Sequence, residues 1–157
     1  MNISFRLNGQ TVQTVADAQT PLLFALIQDG GVNGAKFGCG AAHCGACTVL
    51  LDGEPVKSCT VLAVQADGHD VTTVEGLGTP DRPHALMDAM VDAGAVQCGF
   101  CTPGFLTLAT ATLKRKPDIG EDELRDVLSS NLCRCTGYKN IVKAVQSVQA
   151  AASAGRE

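Results

Sequence analysis

Eight cysteines, in two sets of four, are the residues with the most chemistry to offer. The first set is Cys39, Cys44, Cys47 and Cys59, spaced C-x4-C-x2-C with a distant fourth member. The second pairs a C-x2-C, Cys98 and Cys101, with a C-x-C, Cys133 and Cys135. Thiols in such number serve disulfides, zinc or iron-sulfur clusters. The first spacing is that of plant-type ferredoxins, in which three thiolates from one loop wrap a flat two-iron cluster and a fourth arrives from a fixed strand. Gly34, Gly38, Gly40 and Gly45 surround these cysteines. They allow positive φ angles and let backbone N–H groups approach sulfur, which stabilises negative charge that grows on reduction.

Zinc sites usually take their cysteines as two paired knuckles, so a three-cysteine loop before a lone strand cysteine argues against zinc. Disulfide frameworks belong to small secreted domains without a core. This chain has 157 residues, 45% hydrophobic, and shows no apolar leader after Met1,. His43 beside Cys44 does not make a Rieske centre, which needs two histidines in place of two cysteines. It is read as a loop residue, and His69 and His84 as surface residues. Gly38-Cys39-Gly40 lacks the third glycine and the following helix of a dinucleotide loop.

The second set sits in Gln97-Cys98-Gly99-Phe100-Cys101-Thr102-Pro103-Gly104 and Asn131-Leu132-Cys133-Arg134-Cys135-Thr136-Gly137-Tyr138. Thr102-Pro103 starts a helix, and the stretch from Asn131 to Gly137 ends one helix and begins the next, so these thiols stand at helix ends. Helix N-termini favour thiolate charge. Two such loops face to face can clamp a second cluster.

The elements that position the cysteines follow from periodicity. Ile3, Phe5 and Leu7 alternate along a strand that turns at Asn8-Gly9 and returns from Thr11 to Val15. Thr20-Pro21 is expected as N-cap and first position of a helix carrying Leu22, Leu23, Leu26 and Ile27, stopped by Gly30-Gly31. A second hairpin runs from Thr48 to Leu51, turns at Asp52-Gly53 and passes through Val56; Val71 to Val74 is the closing strand. That order suits a mixed sheet on one helix, the ferredoxin type of beta-grasp fold. Residues 77–83, rich in Gly and Pro, form the expected linker between a ferredoxin-like domain, 1–76, and a helical domain, 84–157. In the latter, apolar spacing gives four helices: one with Leu86 and Met90, one with Phe105 and Leu113, one capped by Asp118 and Glu121, and one from about Lys139. The fold class is therefore α+β, a beta-grasp domain followed by a four-helix bundle. The tail from Ala151 to Glu157 is expected to fray, and Lys114-Arg115-Lys116 to be a solvated helix terminus.

A net charge of -4 excludes the basic footprint of a nucleic-acid binder,. No apolar run reaches the length of a membrane segment.

Taken together, Gly38-Cys39-Gly40, Cys44-Gly45-Ala46-Cys47-Thr48-Val49, Gln97 to Gly104 and Cys133 to Tyr138 resemble the small [2Fe-2S] subunits of the xanthine oxidase family of molybdenum hydroxylases. The resemblance covers about residues 3 to 149. It implies an oxidoreductase whose substrate chemistry, on an aldehyde or a nitrogen heterocycle, lies on a separate large subunit holding molybdopterin, as the cytosine dinucleotide. It further implies an inner [2Fe-2S] cluster on Cys98, Cys101, Cys133 and Cys135 next to the molybdopterin, with Gln97 and Cys135 touching it. An outer [2Fe-2S] cluster on Cys39, Cys44, Cys47 and Cys59 passes electrons onward. Many relatives carry a carboxylate where this chain has Gly40-Ala41-Ala42-His43. In that loop it is more similar to two-subunit members such as isoquinoline oxidoreductase (alpha-subunit type), so the acceptor is either a cytochrome c domain or a flavin subunit. The compartment is the cytoplasm, or the periplasm if a signal-bearing large subunit exports the complex. The rival reading is a free-standing two-cluster ferredoxin.

Overall fold

Asn8-Gly9 and Asp52-Gly53 have positive φ at both positions, 50° and 84° in the first turn and 50° and 86° in the second. This backbone twist matches that of paired strands and closes a two-residue hairpin. One turn joins β1 (Asn2–Leu7) to β2 (Gln10–Val15), and the other joins β3 (Thr48–Leu51) to β4 (Glu54–Lys57), both antiparallel. β5 (Asp70–Thr72) lies between them, parallel to β1 and antiparallel to β3, so the sheet runs β2-β1-β5-β3-β4. Ile3, Phe5 and Leu7 share one buried face of β1,. α1 (Leu22–Gln28) crosses that face, packing Leu22, Leu23 and Leu26 on Phe5, Leu7, Val49 and Val71. The first half is thus a beta-grasp domain. The structure, a computed structural model, describes residues 1–154.

Two boundaries differ from expectation. Pro21 is not inside α1: it is extended, at φ -62° and ψ 141°, and bridges Leu62. The Leu22 N–H donates to the Val61 carbonyl, and this tie holds the chain extended until Leu22. The closing strand ends at Thr72, and Val74–Gly76 forms a 3-10 turn. The cause is Glu75, whose carboxylate accepts from the N–H groups of Asn33 (2.8 Å) and Gly34 (2.6 Å) and from the Thr73 hydroxyl (2.5 Å). Burial pushes the Glu75 carboxyl up, but the Thr73 hydroxyl and backbone N–H groups outweigh it and hold it below the usual range. That stability is present above the unfolded carboxyl's pKa and is lost as pH falls through the depressed folded value. Glu75→Gln should cost about 2 kcal/mol at neutral pH, since a charged acceptor of several bonds is lost. Denaturant titration of the variant checks this, with the difference from wild type shrinking in acid.

The second half is helical: α2 (Ala85–Asp92), α3 (Thr102–Arg115), α4 (Glu121–Ser129) and α5 (Lys139–Ala154). Leu86, Met90, Phe105, Leu124, Leu128, Ile141 and Val145 fill its core. His84 is more than a surface residue, because its ring nitrogen accepts from the Leu86 N–H (3.2 Å) and caps α2,. The expected Asp118–Glu121 capping pair does not form. Gly120 is the N-cap of α4 without a side-chain cap, and Glu121 turns to Arg125 (2.6 Å) and Gln146 (3.0 Å). α5 also continues through Ala151 to Ala154, so that part of the tail is ordered helix; residues 155–157 lie outside the described residues.

α3 packs over β3 and β4, which joins the two halves. The basic run ends α3 as expected, and Arg115 reaches across to Glu54 of β4 (3.2 Å). Among the described residues no helix is long and apolar enough to cross a membrane.

Candidate iron-sulfur sites

Cys39, Cys44 and Cys47 stand on the loop that leads into β3, and Cys59 follows β4 by two residues. Gly40, Ala42 and Gly45 all have positive φ, 67°, 60° and 68°, coiling the loop so that its amides turn toward sulfur. The N–H groups of Ala41 (3.4 Å) and Cys44 (3.3 Å) both donate to Cys39 Sγ. They bring the Cys39 thiol down to about 6. Cys47 lies at the dry end of the loop, where burial pushes its thiol up to about 11. The thiols meet in twos, Cys39 with Cys44 and Cys47 with Cys59.

The inner group is built from helix ends. Cys101 is the N-cap of α3, Cys98 precedes it, and Cys133 and Cys135 lie on the connection from α4 to α5. Again the thiols meet in twos: Cys98 and Cys135 are 3.5 Å apart, and Cys101 meets Cys133. Tyr138 shapes this loop. Its hydroxyl donates to the Asn131 carbonyl (3.1 Å) and accepts from the Cys133 N–H (2.9 Å), while its ring stands edge-on to Phe105, 6.0 Å away. The cost of its left-handed backbone, φ 68°, is offset by these contacts,.

Electrostatics here differ from the expectation that a helix start favours thiolate. Burial, then the Cys133 thiol, pushes Cys101 up to about 12. Desolvation outweighs the dipole because Cys101 is half-buried against the helical core,. Burial also raises Cys133, but the hydroxyl (3.1 Å) and N–H (3.4 Å) of Thr136 outweigh it and leave that thiol below its usual value. Cys98 raises its neighbour Cys135.

This donor chemistry fits two-iron clusters. A [2Fe-2S] centre takes four cysteine thiolates, two on each iron, which matches thiols meeting in twos. The two groups are also neighbours. The Leu132 N–H, one peptide from Cys133, donates to the Cys44 carbonyl (2.8 Å). A Cβ on Gly104 of α3 would strike the Gly45 carbonyl, and one on Gly38 would meet the Phe100 ring at 3.5 Å.

Comparison with known proteins agrees with this geometry. A family described as 2Fe-2S iron-sulfur cluster binding domain matches residues 5–73, and one described as [2Fe-2S] binding domain matches residues 73–146. The nicotinate dehydrogenase small FeS subunit of Eubacterium barkeri is 42% identical over 146 residues, spanning 93% of each chain. This chain is a small iron-sulfur subunit of the xanthine oxidase family of molybdenum hydroxylases. Among solved structures, it superposes on quinoline 2-oxidoreductase from Pseudomonas putida 86 with a TM-score of 0.92 and 43% identity, covering 99% of this chain and 96% of that one. It also matches the aldehyde oxidoreductase of Desulfovibrio desulfuricans, TM-score 0.92 and 38% identity, covering 98% of this chain but 17% of that much longer one. The small subunit's role in the oxidoreductase is electron transfer.

The fold brings together Gln97 and Cys135, since the Gln97 side-chain amide donates to the Cys135 carbonyl (3.3 Å). His43 is exposed on the outer loop. His69 pairs with Asp52 (2.6 Å) at the second hairpin, away from either thiol group. Sequence reading passed over Lys57 and Asn131. Lys57 Nζ donates to Thr48 Oγ1 (3.2 Å), to the Ser130 carbonyl (3.0 Å) and to Asn131 Oδ1. A lysine two residues before the fourth cysteine of the set is the one local sign that pointed to it.

Proposed function

We propose that Cys39, Cys44, Cys47 and Cys59 ligate the outer cluster and Cys98, Cys101, Cys133 and Cys135 the inner one. Gln97 and Cys135 then contact the molybdopterin of the large subunit, in its cytosine dinucleotide form. The clusters, when bound, supply one-electron carriage between the molybdenum centre and an acceptor. The chain's own residues hold each centre in place, exclude water and donate hydrogen bonds to sulfur. No side chain here has to serve as acid, base or nucleophile.

One observation carries this reading: two sets of paired thiols are tied to each other by the hydrogen bond from the Leu132 N–H to the Cys44 carbonyl. A free-standing ferredoxin would have no use for the inner set at its surface. Cys98 and Cys135 are exposed there, and so are the apolar Val96, Phe100 and Leu132 beside the inner cysteines. Such surface is normally covered by a partner. The large subunit is that partner, and co-purification distinguishes the two readings, because a free carrier runs alone.

The substrate we assign to the complex is a nitrogen heterocycle, by likeness to the nicotinate and quinoline enzymes. An aldehyde is the second reading, by likeness to aldehyde oxidoreductase. The acceptor is a cytochrome c domain, the alternative being a flavin subunit, because the Gly40 to His43 loop carries no carboxylate. The chain follows its partner's compartment, the cytoplasm or, with a signal-bearing large subunit, the periplasm. The domains we assign are 1–76 and 84–157, joined by 77–83. The decisive experiment is electron paramagnetic resonance of the fully reduced complex. Two distinct signals of equal spin are expected, and a single signal would contradict the two-cluster assignment.

A further inference from the structure

We propose that the Lys57 ammonium, seated against the outer cysteine loop and held by Asn131 of the helical half, raises the reduction potential of the outer centre and so directs electrons outward. This rests on the two-cluster reading above. Lys57 ends β4 and is partly buried where α3 and the Asn131 loop close over the sheet. Its three donor bonds go to a hydroxyl, a carbonyl and an amide oxygen. Among the described residues no carboxylate pairs with it, so its charge is not neutralised.

The position of that charge is specific. A Cβ added to Gly45 would lie 2.7 Å from Nζ, which puts the ammonium directly against the backbone between Cys44 and Cys47. Cys59 is two residues further on. Burial holds the Lys57 ammonium below its usual range, and the thiols that oppose this are Cys47, Cys44, Cys59 and Cys39, all of them outer. A four-thiolate two-iron centre is anionic and gains a further negative charge on reduction. A fixed cation in a partly desolvated interface therefore stabilises the reduced outer centre more than the oxidised one. One electron leaves the inner centre and one arrives at the outer, with no bond made or broken. No neutral side chain has the three donors that this bridge uses, so the lysine closes the bridge and sets a partly desolvated charge beside the outer loop at once,.

Asn131 places the lysine. It is 1% exposed, its Oδ1 accepts from Lys57 and from Thr48 (3.3 Å), and its Nδ2 has no hydrogen-bond partner. It thereby ties the charge to the inner loop, two residues from Cys133.

The test is a potentiometric titration of the intact complex, reading both clusters by electron paramagnetic resonance. Lys57→Gln should lower the outer potential so that the equilibrium constant for transfer from inner to outer falls about tenfold, which is about 59 mV for a one-electron couple. Asn131→Asp, which sets a carboxylate against the ammonium, should move it in the same direction, and Lys57→Arg should restore it. An unchanged outer potential in whichever variant keeps both clusters, or equal displacement of both centres, overturns the assignment. Loss of the outer signal from both variants would make the pair structural and overturn it as well. Two signals in the wild-type complex leave the two-cluster reading intact whatever the potentials do.

Discussion

Replacing Cys133 with alanine should remove half of the iron and half of the acid-labile sulfide while leaving the outer signal in place. Cys133 is 7% exposed and packs with the helical core. It is paired with Cys101, whose thiol is pushed up to about 12. With one of its four ligands gone, the inner set can no longer complete the coordination of a two-iron cluster. The side chain is small, and its removal should cost only about 1–2 kcal/mol of stability. The outer half should therefore fold and load. Turnover with the natural acceptor should fall to background, because the molybdenum centre keeps its electrons. Iron analysis, spin quantitation and the rate of molybdenum reoxidation give three separate readings. Full iron content or unimpaired reoxidation would sink the assignment of this residue.

The second large effect is expected at Gly45. Its φ of 68° is costly for any side chain, about 1–2 kcal/mol,. A Cβ there would also enter the space of Asn131 Oδ1 and press on Lys57 Nζ at 2.7 Å. Overpacking of a closed interface adds about 1–3 kcal/mol. Gly45→Ala should thus cost about 4 kcal/mol in all and lower the apparent unfolding midpoint by roughly 10 °C for a chain of this size. The outer cluster should become labile at the same time, since the alanine forces the loop between Cys44 and Cys47 to move. Gly53→Ala is the matched control. Its φ of 86° is equally unusual, yet a Cβ there meets nothing within 4 Å, so it should lose only the backbone cost. Equal losses in the two variants would mean that the halves are not packed tightly at Gly45.

Much of this was legible in the residue order because the decisive signals are local. The spacing of the first four cysteines, the Asn8-Gly9 and Asp52-Gly53 turns, the two hairpins and the four helices after residue 84 depend on neighbours a few positions apart. The beta-grasp and helical halves followed from these alone. Pro21 shows the limit. Its type suits a first helical position, but a bridge to Leu62, far along the chain, keeps it extended. Asp118 and Glu121 had the spacing of a capping pair, and α4 nevertheless begins at Glu121, whose side chain finds Arg125 and Gln146. The same holds for the candidate sites. The thiol sets could be read by eye, whereas Lys57, 74 residues from Asn131, and Glu75, 41 residues from Gly34, act through contacts that no periodicity announces. The raised thiol of Cys101 was not legible either, because its helix-end position argued one way and its burial, visible only after packing, the other.

The bond between the Leu132 N–H and the Cys44 carbonyl has a kinetic meaning as well. A mobile carrier must diffuse, collide and orient before each transfer, and thickening the solvent slows it. Here both cysteine sets belong to one chain, with α3 packed on the sheet, so a hop between centres held by them would require no encounter, and its rate should be indifferent to solvent viscosity.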